Sequence, residues 1–147
     1  MTRAPCFFSR PIAASPEGSQ FYPPIIPDPT TAQAGSIFQG SQSIWRSQDW
    51  GGNQAYLEAN CPEFTTAFNN PSCGDFVRIG PAGATDLTSG SYGADRAGGV
   101  ISAIKRASSN TGTMWVATVT GRVFITDNAN APAASVAEQF FPAPMAG

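Results

Sequence analysis

One short pattern occurs twice in this chain of 147 residues, and its spacing limits the folds that the chain can adopt. The segment Ile44–Gly51 aligns with Val123–Asn130, which starts 79 positions later. Each copy follows a run of one small, one apolar and one aromatic residue, Ser36–Phe38 in the first copy and Thr113–Trp115 in the second. Such repeats are typical of structural units that stack on one another and bury a shared core.

Runs rich in β-branched and aromatic residues alternate with turns rich in Gly, Asn and Ser, which predicts short strands joined by hairpins. The runs lie at 21–26, 36–39, 43–47 and 75–79 in the first unit, and at 100–105, 113–118 and 122–126 in the second. The tail carries no strand pattern, and its one helical candidate is 133–140. The chain is therefore predicted to be all-β, with the fourth strand of the second unit missing.

Composition excludes several classes of function. Charged residues make up 12% of the chain and the net charge is −2, which argues against a charged disordered chain and a basic nucleic-acid-binding surface. No run of about 18 apolar residues is present, so no membrane span is predicted. Histidine is absent, which excludes Ser–His and Cys–His nucleophiles and His-ligated metals. No cofactor and no metal are predicted, although calcium bound through backbone carbonyls and Asp86 or Asp95 stays open.

The three cysteines bear on the compartment. Cys61 and Cys73 bracket a loop rich in Pro and Asn, and we predict a disulfide that closes it. Such a bond implies an oxidising compartment. The N-terminal residues, interrupted by Pro5 and Pro11, contain no apolar stretch of the length that a signal peptide needs, so none is predicted. Both observations fit a piece of a longer extracellular or periplasmic protein, in which Cys6 is an odd thiol.

A resemblance to a known family rests on the repeated pattern. Residues 47–51 (SQDWG) fit S-x-D-x-G, and the second copy keeps this pattern in degenerate form with Thr126, Asn128 and Asn130. With their preceding strands, over about residues 21–130, the two copies resemble the BNR/Asp-box repeats of sialidase-like and sortilin-like β-propellers. The resemblance implies antiparallel four-stranded blades of a β-propeller, incomplete here at about 1.75 blades.

The resemblance also implies a division of the chain. Residues 1–20 form an irregular Pro-rich segment, 21–80 a first blade with the Asp-box and the cysteine loop, 81–131 a second, partial blade, and 132–147 an Ala/Pro-rich tail. A propeller closes with about 4–8 blades. The remaining blades are then expected from a longer parent protein or from self-association.

In the family, the Asp-box turn joins the third and fourth strands of a blade and lies away from the catalytic face, which implies a structural role for Ser47, Asp49 and Gly51. Asp49 is expected to hold the turn by accepting backbone N–H groups, and Gly51 to permit a positive φ. Three tryptophans are expected in the core between blades rather than in sugar-binding platforms: Trp45, Trp50 and Trp115. Two arginines are expected to be solvated or paired at a blade edge rather than part of an anion clamp: Arg46 and Arg122.

Propeller geometry places the loop 80–99 at one end of the blades, with the turns Gly40–Gln42 and Val119–Gly121. The candidate site residues of that loop are Asp86 and Asp95 as catalytic acid and base, and Tyr92 and Arg96 as ligand-binding residues. Two carboxylates with a phenol and a guanidinium can bind a polyol or flank a glycosidic bond.

Three interpretations follow. The first is a non-catalytic β-propeller segment that acts as a scaffold or interaction surface for carbohydrate or protein. The alternative is a fragment of a glycoside hydrolase that resembles sialidases or propeller xyloglucanases and uses paired carboxylates. The third is a small stand-alone β domain, such as a sandwich, in which the repeat is accidental.

Overall fold

The computed structural model describes residues 10–30, 35–62, 66–67, 69–79, 99–133 and 141–142, and this part of the chain is predominantly β. Its elements are α1 Arg10–Ala13, β1 Ile25–Pro27, β2 Ile37–Gly40, β3 Ile44–Ser47, α2 Gln54–Asn60, β4 Val77–Arg78, β5 Ile101–Arg106, β6 Met114–Thr118, β7 Val123–Thr126 and β8 Phe141–Pro142. Neither helix in these ranges has the length and apolar character that crossing a membrane requires.

The strands form two antiparallel four-stranded sheets, β1-β2-β3-β4 and β5-β6-β7-β8, named here the first sheet and the second sheet. Their central hairpins are equivalent: Ile37 pairs with Ser47 in the first sheet, as Met114 pairs with Thr126 in the second. Each predicted strand overlaps an observed one. The repeat in the sequence therefore corresponds to a repeated sheet.

The second sheet has a fourth strand, β8, which pairs antiparallel with β7. The expectation that this strand is missing was wrong. β8 has only two residues, which are too few to show an alternating pattern. Its second residue, Pro142, also argues against a strand in the sequence because proline has no N–H to donate. Most of the helical candidate 133–140 lies outside the described residues.

A helix that the sequence analysis did not predict, α2, directly precedes the cysteine loop. The Asn53 side chain caps α2 by accepting the Tyr56 N–H at 3.0 Å, and the N–H of Cys61 donates to the carbonyl of Leu57 at the other end. Asn is among the preferred capping residues, so a local signal was present. Cys61 and Cys73 form the predicted disulfide, with their Cα atoms 5.8 Å apart.

The hydrophobic core lies between the two sheets. Five of its members come from the central hairpins: Phe38, Ile44, Met114, Val116 and Phe124. At one end the sheets approach backbone to backbone, because the Ile101 N–H donates to the Ser41 carbonyl at 2.8 Å. A Cβ added at Gly40 would lie 2.6 Å from the Ile101 side chain, so glycine is required for this approach.

The two sheets contact each other through different faces. The first sheet contributes the face of Phe38, whose equivalent in the second sheet, Trp115, lies on the far side. The second sheet contributes the face of Met114, whose equivalent in the first sheet is Ile37. In both sheets we name the contacting face inner and the opposite face outer. The packing is therefore head-to-tail rather than related by a two-fold axis.

Candidate functional site

The two repeated turns are held by equivalent hydrogen bonds. The Oγ of Ser47 accepts the N–H of Asp49 at 3.2 Å, and the Oγ1 of Thr126 accepts the N–H of Asn128 at 3.3 Å. Ser47 also accepts the N–H of Gly51 at 2.6 Å, where φ is +104°. The backbone hydrogen bonds repeat as well. The Gly52 N–H donates to the Asp49 carbonyl as the Ala131 N–H donates to the Asn128 carbonyl, both at 2.8 Å. The Trp50 N–H donates to the Gly35 carbonyl at 2.9 Å as the Ala129 N–H donates to the Gly112 carbonyl at 2.8 Å.

The group that holds the first turn is the hydroxyl of Ser47 rather than the carboxylate of Asp49. Asp49 is exposed, and no hydrogen bond to its carboxylate is present among the described residues. The carboxylate that does contact this turn is Asp75, whose Oδ2 accepts the N–H of Gln48 at 3.2 Å. The assignment of the turn to Asp49 therefore needs correction, because the N–H groups of Asp49 and Gly51 donate to the buried Ser47 hydroxyl and not to the exposed carboxylate.

Replacing Ser47 with alanine is expected to lower the free energy of unfolding by about 1–3 kcal/mol, because the N–H of Gly51 would lose its buried acceptor. Asp49→Ala is the matched control, with an expected change within about 0.5 kcal/mol. Urea unfolding followed by circular dichroism measures both. A larger loss for Asp49→Ala than for Ser47→Ala would contradict the assignment.

The expectation that the tryptophans lie in the core was also wrong. Trp50 is 62% exposed, with a φ of +54°, and lies against Gly35. Trp115 is 39% exposed on the outer face of the second sheet. Trp45 lies on the outer face of the first sheet, where its indole N–H reaches Glu17 at 3.2 Å. The strand alternation directs Trp45 and Trp115 away from the inner faces, and Trp50 lies in the turn that follows β3.

Arg46 is buried between the sheets, not placed at an exposed edge. Its Nη1 donates to the carbonyls of Ala129 and Ala131, each at 2.7 Å, in the second repeated turn. Burial, together with the charge of Arg106, lowers the pKa of Arg46. Arg122 is also buried. Arg46 thus fastens the repeated turn of the second sheet to a strand of the first.

The sequence analysis did not identify Arg106, which is also buried. Arg106 of β5 forms an ion pair with Asp28 at 2.6 Å and lies over the Phe38 ring, 4.5 Å from its centroid. It also donates to the Thr111 carbonyl, at 3.0 Å from Nε, and to the Asn130 side chain. Burial lowers the pKa of Arg106, while Asp28 opposes that shift. This guanidinium joins both sheets and the second turn.

The turns named in the sequence analysis do lie together at one end. The Ile101 N–H donates to Ser41 in the β2–β3 turn, and the Val119 N–H of the β6–β7 turn donates to Val100 at 2.9 Å. Gly99, the last residue of the loop 80–99, lies against Val119 of the β6–β7 turn. The candidate residues of that loop, Asp86, Tyr92, Asp95 and Arg96, lie outside the described residues.

The outer face of the second sheet is apolar and exposed. Trp115 on β6 lies between Lys105 of β5 and Ile125 of β7, and Ala117 pairs with Val123. Lys105, Trp115 and Val123 are exposed, whereas Ala117 and Ile125 are half-buried. An apolar sheet face in water is typical of a surface that binds another protein.

Residues 10–20, named here the strap, contact the outer face of the first sheet at Trp45 on β3 and Arg78 on β4, whereas Ile25 on β1 of the same face is 55% exposed. Glu17, with a side chain only 2% exposed, pairs with Arg78 and accepts hydrogen bonds from the Ser41 hydroxyl, from the Ser43 N–H at 2.9 Å and from the Trp45 indole. At its other end, the strap donates from Arg10 to the Ala67 carbonyl at 3.0 Å. One buried carboxylate therefore ties the strap to β3, β4 and the β2–β3 turn.

The contacts of Glu17 set its titration. Burial by itself raises the pKa of this carboxyl group, but the hydrogen bonds from Ser41, Arg78 and Trp45 and the charge of Arg78 outweigh it and hold the pKa below its usual value. Since the pKa is depressed in the folded state, charged Glu17 stabilises the fold above the unfolded-state pKa, and this contribution is lost as the pH falls through the folded-state value.

Two kinds of site can be assessed among the described residues: a metal-binding group and a ligand-sized cavity. They contain no group of three His, Cys, Asp or Glu side chains that could bind a metal ion. A cavity of about 230 Å³ between β1 and β5 is lined mostly by Ile and Pro side chains with Lys105 and Arg106, and lies below the usual volume of a ligand site. Comparison of the chain with protein-family models, with curated proteins and with solved structures finds no match.

Proposed function

We propose that this chain forms two consecutive sheets of a BNR/Asp-box β-propeller and acts as a non-catalytic scaffold and interaction surface within a larger exported protein. One observation carries the proposal: equivalent sheets, with equivalent hydrogen bonds at their repeated turns, pack inner face to inner face in a head-to-tail sense. Successive blades around a ring need this relation, because each blade contacts its two neighbours through opposite faces.

The use of the buried charges supports a scaffold. Arg46, Arg106 and Asp28 are engaged between the sheets, and Glu17 is engaged under the strap. Each bonds to backbone or to a partner of opposite charge, as structural polar groups in a protein interior do. The disulfide between Cys61 and Cys73 supports an exported location, since such bonds persist in oxidising compartments.

Glycoside hydrolysis assays test the non-catalytic role. The purified chain is incubated with a fluorogenic sialoside and with xyloglucan, beside the Asp86→Asn/Asp95→Asn double variant. We expect the same background release of product from both proteins. Hydrolysis by the unmodified chain that the double variant lacks would overturn the proposal in favour of a glycoside hydrolase.

A further inference from the structure

The two outer faces of the molecule differ in one respect. The outer face of the second sheet, with Trp115 and Val123, is exposed, whereas the strap contacts that of the first sheet through Glu17 at Trp45 and Arg78 and leaves Ile25 exposed. Head-to-tail packing makes these two faces complementary. The outer face of the second sheet is equivalent to the inner face of the first, and the outer face of the first is equivalent to the inner face of the second.

We propose that the strap is an autoinhibitory cap over a self-association surface. When the strap is released, the outer face of the second sheet in one copy packs on the outer face of the first sheet in a second copy. The contact uses, between chains, the same pair of equivalent faces that joins the two sheets within a chain, with Ala117 in place of Gly40 setting a wider approach at the end of the strands. This inference rests on the proposed role as an interaction scaffold and names its partner, a second copy of this chain.

The exposed and covered faces have matching character. Trp115 and Val123 on one face meet Ile37 and Trp45 on the other, so the contact buries apolar side chains. The first sheet packs on β5 through β1 and β2. In a repeat of that packing, Lys105 on β5 lies near β1 of the second copy and away from Arg78 on β4, the opposite edge. The two cations therefore stay apart.

In the single chain, the strap blocks the surface of the first sheet that would bind the second copy. Its attachment to the outer face is concentrated in Glu17, which contacts three parts of the first sheet. Removing that carboxylate breaks the ion pair between the strap and Arg78. The Trp45 indole N–H then keeps only the Ser41 hydroxyl, at 3.1 Å, of its two acceptors. A head-to-tail contact leaves one face of each type open until a ring closes. Since a propeller closes with about 4–8 sheets and each copy supplies two, the released chain is expected to form rings of about two to four copies.

Sedimentation velocity over a range of protein concentrations tests this inference. Glu17→Ala is expected to lower the apparent dissociation constant of self-association by about tenfold or more, because the competent, uncapped state becomes more populated. The isosteric Glu17→Gln variant, which keeps one of the two accepting oxygens but lacks the charge, should show a smaller shift. Glu58→Ala, on the exposed face of α2, is the matched control and should sediment as the unmodified chain does.

The second half of the test blocks the other face. Trp115→Glu should return the Glu17→Ala variant to a monomer, whereas Tyr56→Glu, a charge placed on exposed α2, should not. A folded, monomeric Glu17→Ala variant would overturn the inference, and so would oligomers that persist with Trp115→Glu, since association through unfolding does not depend on that face. The scaffold proposal is tested separately, because it falls only if the hydrolysis assay is positive.

Discussion

Replacing Arg106 with methionine is expected to lower the free energy of unfolding by about 3–5 kcal/mol, which is the usual effect of removing one partner from a buried ion pair. The guanidinium is fully buried and pairs with Asp28 at 2.6 Å. Without it, Asp28 keeps a charge in the interior and the Thr111 carbonyl loses its buried donor. Denaturant unfolding measures the loss, and the adjacent, exposed Lys105→Met is the control, with a change within about 0.5 kcal/mol.

A double-mutant cycle assigns the effect to the pair. Asp28→Asn removes the charge but keeps an oxygen that can accept from Thr30, which donates to Asp28 from its N–H and its hydroxyl at 2.8 Å. Combined with Arg106→Met, it should lower stability by clearly less than the sum of the two single changes, because no charge is then left uncompensated. Additive effects, or a loss below about 1 kcal/mol for Arg106→Met alone, would contradict the role given to this pair.

Sequence reasoning located the hairpins because their signals are local. The strands on either side of Gly40–Gln42 and of Val119–Gly121 carry β-branched and aromatic residues, and each turn contains glycine. The disulfide was likewise predictable from two cysteines that flank a short loop. β8 and α2 were missed for different reasons: two residues are too few for a pattern, and the capping asparagine of α2 lies in a segment interpreted only as a loop.

The buried charges were missed because their partners are distant in sequence. Asp28 and Arg106 are 78 positions apart, and Glu17 and Arg78 are 61 positions apart. Arg46 did carry one usable signal. It lies two residues from Ile44, and a period of two places both side chains on the same face of the strand. The local sequence around Arg46 does not show that a second sheet packs on this face. The carbonyls that accept hydrogen bonds from the buried guanidinium come from that second sheet's repeated turn.

Ile44→Ala is expected to lower the free energy of unfolding by about 2–5 kcal/mol, whereas Val123→Ala, at the equivalent position of the second sheet, should lower it by about 1 kcal/mol or less. The repeat provides this comparison: both residues begin the third strand of their sheet. Ile44 is fully buried on an inner face, and Val123 is 43% exposed on an outer face. Removing methyl groups leaves a cavity only at the first.

The contrast between these two variants tests the packing on which both proposals depend. In a sandwich related by a two-fold axis, equivalent faces meet, so both residues would be buried and both alanine variants would lose similar stability. In head-to-tail packing, only one of the two positions lies inside. Urea unfolding of the two variants under identical conditions distinguishes the arrangements, and comparable losses at both positions would exclude the head-to-tail relation. If the losses differ as expected, the outer face of the second sheet is equivalent to the inner face of the first sheet, which already packs against a sheet in this molecule. Another sheet can then bind to that outer face in a similar way.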